Sequence, residues 1–156
     1  MKKFRFSLET VLDYKQQALD ALRAEHGAIL AQVRAQEAVV EGLEEEHRQV
    51  DGEFSRCKLE GLTVLEALNY EQYLRALERE IMTERRKLEN LRRREEQKRS
   101  QVVEARKETA TIEKLKEHKL EDYRKAEQKE EEQRIEEFVS TARAMAAMGA
   151  ERVSYT

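Results

Sequence analysis

The chain has 156 residues, of which 40% are charged and 39% apolar, with a net charge of −3, no proline and no tryptophan. So much charge with so few aromatics, dominated by Glu, Lys, Arg, Ala and Leu, excludes an ordinary globular core and selects long helices of coiled-coil type. The near-balanced charge gives no strong overall attraction for nucleic acid or anionic lipid, and no run of about 18 apolar residues is present to span a bilayer.

The opening Met-Lys-Lys-Phe-Arg-Phe-Ser lacks the apolar run of a signal peptide. Cys57 is the single cysteine, has no internal disulfide partner and fits a reduced, cytoplasmic setting. Ser7 is read as the cap of the first helix, because its hydroxyl can accept from a free N–H of the first turn. Glu9 lies near the positive end of the helix dipole, and Phe6 and Val11 have the spacing of a hydrophobic staple.

A heptad seam then runs from Leu8 through Leu12, Leu19, Leu22, Ile29, Val33, Val40, Leu43, Val50 and Phe54 to Cys57. Lys15, His26, Gln36 and His47 interrupt it, and polar residues on a seam trade stability for register. About 52 residues at 1.5 Å each predict a rod of roughly 80 Å. Gly61 is the expected stop. Thr63-Val-Leu-Glu66 reads as a capping box opening a single turn at a hairpin tip, with Asn69 capping the second long helix.

The second seam reads Leu74, Leu77, Ile81, Leu88, Leu91, Val102, Ala105 and Ile112, with polar interruptions at Glu84, Glu95, Lys98 and Thr109. The expected fold is all-α, a single domain 1–156 forming a long antiparallel two-helix coiled-coil hairpin. Helix 1 spans about 7–60, the tip 61–69 and helix 2 about 70–147, followed by a frayed C-terminus. Folding back about Leu65 places Glu41, Glu44, Glu45, Glu46, Asp51 and Glu53 opposite Arg79, Arg85, Arg86 and Lys87, and such flanking charges select partner and orientation. The longer second helix is expected to overhang from roughly Tyr123. An apolar stripe returns there at Ile135, Phe138, Val139, Ala142 and Met145, a surface for docking on something else.

Chemistry finds no footing in this pattern. His26 and His47 lie three heptads apart, no metal-ligand spacing or phosphate loop occurs, and a thin coiled coil offers no concave site. No enzyme activity, cofactor or metal is expected. Arg85 to Arg99 holds eight basic side chains, read as a solvated face; nucleic-acid binding there lacks interleaved aromatics. Tyr70 and Tyr73 near the tip suit a protein interface, with Tyr70, outside the seam, expected to be the more exposed.

Three segments resemble the FliJ family of flagellar export proteins: Phe4-Arg-Phe6-Ser-Leu8-Glu-Thr-Val11-Leu12, Leu68-Asn69-Tyr70-Glu-Gln-Tyr73-Leu74-Arg-Ala-Leu77-Glu-Arg-Glu-Ile81, and Arg134-Ile135-Glu136-Glu137-Phe138. The resemblance implies a non-enzymatic stalk and adaptor of bacterial flagellar type III export, cytoplasmic and peripheral at the inner membrane. It implies three partners: the hexameric export ATPase FliI, the export gate protein FlhA and export chaperones. Its motifs map gate contact onto Tyr70, Tyr73 and Leu77. ATPase contact maps onto Phe6, Ile135, Phe138, Val139 and Ala142. At Glu80 and Glu84 the chain departs from the family pattern, which has a small residue and a histidine. The alternatives are a self-associating structural coiled coil and the equivalent stalk of a virulence secretion system.

Overall fold

A computed structural model describes residues 2–154. Two helices, α1 (Glu9–Glu60) and α2 (Val64–Ser154), account for nearly all of it, and the described residues contain no strand. The helices pack antiparallel, and the chain divides into two compact units. One comprises residues 1–15 with 108–156, the other residues 16–107.

In the larger unit the heptad seam is the core. Ile29, Val33 and Val40 of α1 cluster with Leu88 of α2, and Leu91 packs against them. Leu19, Phe54, Leu74, Leu77 and Ile81 are buried as well, and the remaining seam positions are half-buried. No large side chain falls below 2% exposure, so two helices enclose no true interior. Hydrophobic stabilisation must therefore accumulate along the length.

The loop between the helices is three residues long. Gly61 has φ 110°, a left-handed conformation that an L side chain adopts only under strain. Its N–H bonds the carbonyl of Cys57 at 2.9 Å, the single bond of an αL helix end. Thr63 and Glu66 then exchange reciprocal bonds, Thr63 N–H to Glu66 Oε2 and Glu66 N–H to Thr63 Oγ1, each 3.2 Å. This capping box opens all of α2 rather than one turn. Asn69, read as a cap, lies inside the helix, since the box has already satisfied the first-turn donors. Cross-helix pairs such as Glu53–Tyr70, Glu25–Lys98 and His47–Glu78 centre the reversal on the loop between Glu60 and Val64, ahead of Leu65.

In the smaller unit the N-terminal segment lies along α2. The Phe4 and Tyr123 rings sit 5.5 Å apart, and the Tyr123 hydroxyl donates to the Lys2 carbonyl at 2.7 Å. Phe6 and Leu12 are buried, and Lys116 and Lys15 pair with Glu9 and Glu108, each at 2.8 Å. The helix begins at Glu9, two residues after the expected Ser7 cap. The Leu8 carbonyl accepts the first helical bond, from Leu12 N–H, and Val11 points outward instead of stapling Phe6. Past Tyr123, all described residues to Ser154 are exposed except half-buried Glu130. The helix passes Gly149 in ordinary helical geometry. The fraying expected there therefore does not begin before Ser154, and the last two residues lie outside the described part.

Replacing Gly61 by alanine should cost about 1–2 kcal/mol, the penalty of a left-handed Cβ. Thr63→Ala should cost about 1 kcal/mol through the lost cap. Urea unfolding followed by helical circular dichroism reads both; unchanged midpoints would show that the turn does not need these residues.

Candidate functional site

Two surfaces stand out, one in each unit. The first sits beside the loop in the larger unit. Tyr70 projects from the second turn of α2 and stacks on Phe54 of α1, centroids 5.1 Å apart and planes inclined by 21°. Its hydroxyl donates to Glu53 Oε1 at 3.2 Å and lies 3.9 Å from Cys57 Sγ. On the Phe54 ring, the Lys58 ammonium lies 3.8 Å from the centroid. Tyr73, one turn further on, donates to Glu46 and is 45% exposed. Tyr70 is half-buried, so of the two phenols Tyr73 is the more exposed, contrary to expectation. The reversal lies in the loop ahead of Leu65, a register in which Tyr70 meets Phe54.

The contact with Cys57, then the loss of water, then Glu53 push the Tyr70 phenol up to about 12. The bond to Glu46 raises Tyr73 likewise. Leu77, named with these tyrosines as a gate contact, is 4% exposed and belongs to the seam. The structure therefore brings Tyr70 and Tyr73 together on one groove with Val50, Glu53, Glu66 and Asn69, and leaves Leu77 beneath the surface.

The second surface lies in the smaller unit. Ile135, Phe138, Val139, Ala142, Met145, Met148 and Val153 are all exposed, Phe138 by 75%. They recur at helical spacings and form one apolar face. Charges are sparse along it: Arg143, Glu151 and Arg152 are the only ones after Glu137 within the described helix. Phe6, grouped with this face at first, is buried in the same unit.

The basic run from Arg85 to Arg99 is largely spoken for. Arg85 pairs with Glu44, Arg92 with Glu37 and Lys98 with Glu25 across the helices, while Lys87, Arg93 and Arg99 pair within α2. Of the facing charge blocks, Glu44 and Arg85 meet. Glu45 turns to Arg48 in its own helix, where the i,i+3 partner is nearer than the opposite helix. Among the described residues no group of His, Cys, Asp and Glu is placed to hold a metal, and no helix is long and apolar enough to cross a membrane.

A family model described as flagellar FliJ protein matches residues 4–146, nearly the whole chain. The chain belongs to the FliJ family. No curated protein and no solved structure matches it in addition. Membership makes it a component of the flagellar type III export apparatus, from a family of non-enzymatic, chaperone-like proteins. All three FliJ-like motifs fall inside the matched residues. The first packs Phe4 on Tyr123, the second carries the tyrosines beside the loop, and the third opens the exposed apolar face. Phe54 opposite Tyr70 follows from an aromatic on each side of the reversal, while the Lys58 ammonium on the Phe54 ring has no such signal in the sequence.

The raised Tyr70 pKa has a definite sign. A folded value above the ordinary 10 means that the fold favours the neutral phenol. This contribution to stability is complete below pH 10 and is lost as pH rises from 10 through about 12. Phenolate absorbance of the native chain should show a late component near pH 12 that Tyr70→Phe removes. A titration complete near pH 10, identical in both proteins, would contradict this environment.

Proposed function

We propose that the chain is the stalk and adaptor of the flagellar export apparatus, docking on the hexameric export ATPase FliI through the apolar face of α2 and on the export gate protein FlhA through the tyrosines beside the loop. The exposed face from Ile135 to Val153 carries this reading. A free helix does not keep so many large apolar side chains in water without a partner to bury them. In the proposed assembly α2 overhangs its partner helix beyond Tyr123, and Ile135, Phe138, Val139 and Ala142 enter the ATPase ring. Phe6, being buried, is not a ring contact in this reading.

A helical stalk lacks six-fold symmetry, so it meets the subunits of a hexameric ring unequally. Unequal contact biases ring assembly and the order of ATP turnover, and the stalk stimulates hydrolysis without performing it. In the larger unit, Tyr70 and Tyr73 offer large rigid contact area at little entropic cost. Leu77, buried in the seam, is not itself a gate contact in this reading. Both partners belong at the cytoplasmic face of the inner membrane, which makes the chain cytoplasmic and peripheral through protein contacts. Export chaperones are a third class of partner in this reading.

ATP turnover by the cognate ring should rise on addition of the chain. Phe138→Ala should weaken ring binding by about 2 kcal/mol, the scale of an aromatic hot spot, and leave gate binding intact. Tyr73→Ala should do the reverse in the same pull-down. No stimulation and no change in ring assembly would sink the proposal, as would loss of both partners from either substitution alone.

A further inference from the structure

The groove beside the loop has a chemistry of its own. It is lined by the apolar Val50, the rings of Tyr70 and Tyr73, and the polar Glu53, Glu66 and Asn69. On α2 the spacing Glu66–Asn69–Tyr73 keeps these three on one helical face. No basic side chain lines it. Each carboxylate is held by one oxygen only: Glu53 Oε1 by the Tyr70 hydroxyl, Glu66 Oε2 by the Thr63 N–H. The second oxygens, Glu53 Oε2 and Glu66 Oε1, are left open to a donor.

We propose that this groove binds an arginine side chain of a protein partner, its guanidinium lying against the tyrosine rings and bonded to Glu53 and Glu66. The cluster already holds a cation, since Lys58 sits 3.8 Å from the centre of the Phe54 ring against which Tyr70 stacks. Two carboxylates beside aromatic faces suit a planar, delocalised cation better than a compact ammonium, because a guanidinium can stack and donate in a fork at once. Val50 and the tyrosine rings offer apolar surface to the aliphatic stem. The neutral Tyr70 phenol fixes Glu53 without competing for the charge.

This deepens the reading of the tyrosines as a partner-binding surface and rests on it only for naming a protein as the source of the arginine. The test uses the isotope-labelled full chain titrated with N-acetyl-arginine methylamide, and with the uncharged citrulline analogue, followed by amide NMR shifts. Arginine should give saturable shifts at Glu53, Glu66 and Asn69 to Tyr73, and bind at least about fivefold more tightly than citrulline. Glu53→Gln with Glu66→Gln should abolish that difference. Both replacements keep the shape, and glutamine still serves the capping box, so helicity should be unchanged. Equal binding of the two probes, no shift in the groove, or shifts of the same size at Glu41, Glu44 and Glu45 would overturn the proposal. The probe needs neither gate nor ATPase, so failure here is distinct from failure of the adaptor reading.

Discussion

The pairing of polar with polar residues across the seam is the constraint on which the helix packing depends. His26 meets Glu95 at 2.8 Å, His47 meets Glu78 at 3.2 Å, and Gln36 donates to the carbonyl of Glu84 at 3.0 Å and to its carboxylate. The Glu84 carboxyl is held below its ordinary range first by Gln36 and then by Lys87. A slip of one heptad would press His26 against Leu88 or Val102 and Gln36 against Leu77 or Leu91, and an unpaired polar group away from water costs more than a matched pair contributes. Leucines tolerate several registers; this set of pairs tolerates one. Everything beside the loop, from Phe54 against Tyr70 to Glu46 against Tyr73, inherits its alignment from that register.

The same pairs explain why the second helix reads poorly as a sequence yet packs well. Taken alone, Glu84, Glu95, Lys98 and Thr109 look like defects in a seam. In the fold Glu84 and Glu95 answer Gln36 and His26, while Lys98 reaches Glu25 at 2.7 Å.

Much of this was legible in advance. Every residue assigned to the first seam, from Leu8 to Cys57, is buried or half-buried, and so is every one from Leu74 to Ile112 on the second. Periodicity reports burial directly, so these positions were readable. Gly61 and the Thr63–Glu66 box were readable because their chemistry is local. The reversal point was harder: two or three residues either way preserve the pattern, and only contacts between distant residues, such as Cys57 with Tyr70, decide it. That small error hid the burial of Tyr70 and the excess of exposure at Tyr73. Leu77 and Phe6 were singled out by motif. Their burial shows that a motif can mark the support of a surface as readily as the surface itself.

The exposed face of α2 also differs in kind from an ordinary hydrophobic patch. From Ala142 to Ala150 it is made mostly of alanine and methionine, both good helix formers and neither β-branched. An apolar surface rich in valine and isoleucine would, while unoccupied, invite edge-to-edge strand pairing between chains. Alanine and methionine keep the free segment helical and let flexible thioethers adjust to uneven neighbours. The choice of side chains thus lets a sticky surface wait in water with a low risk of fibril formation.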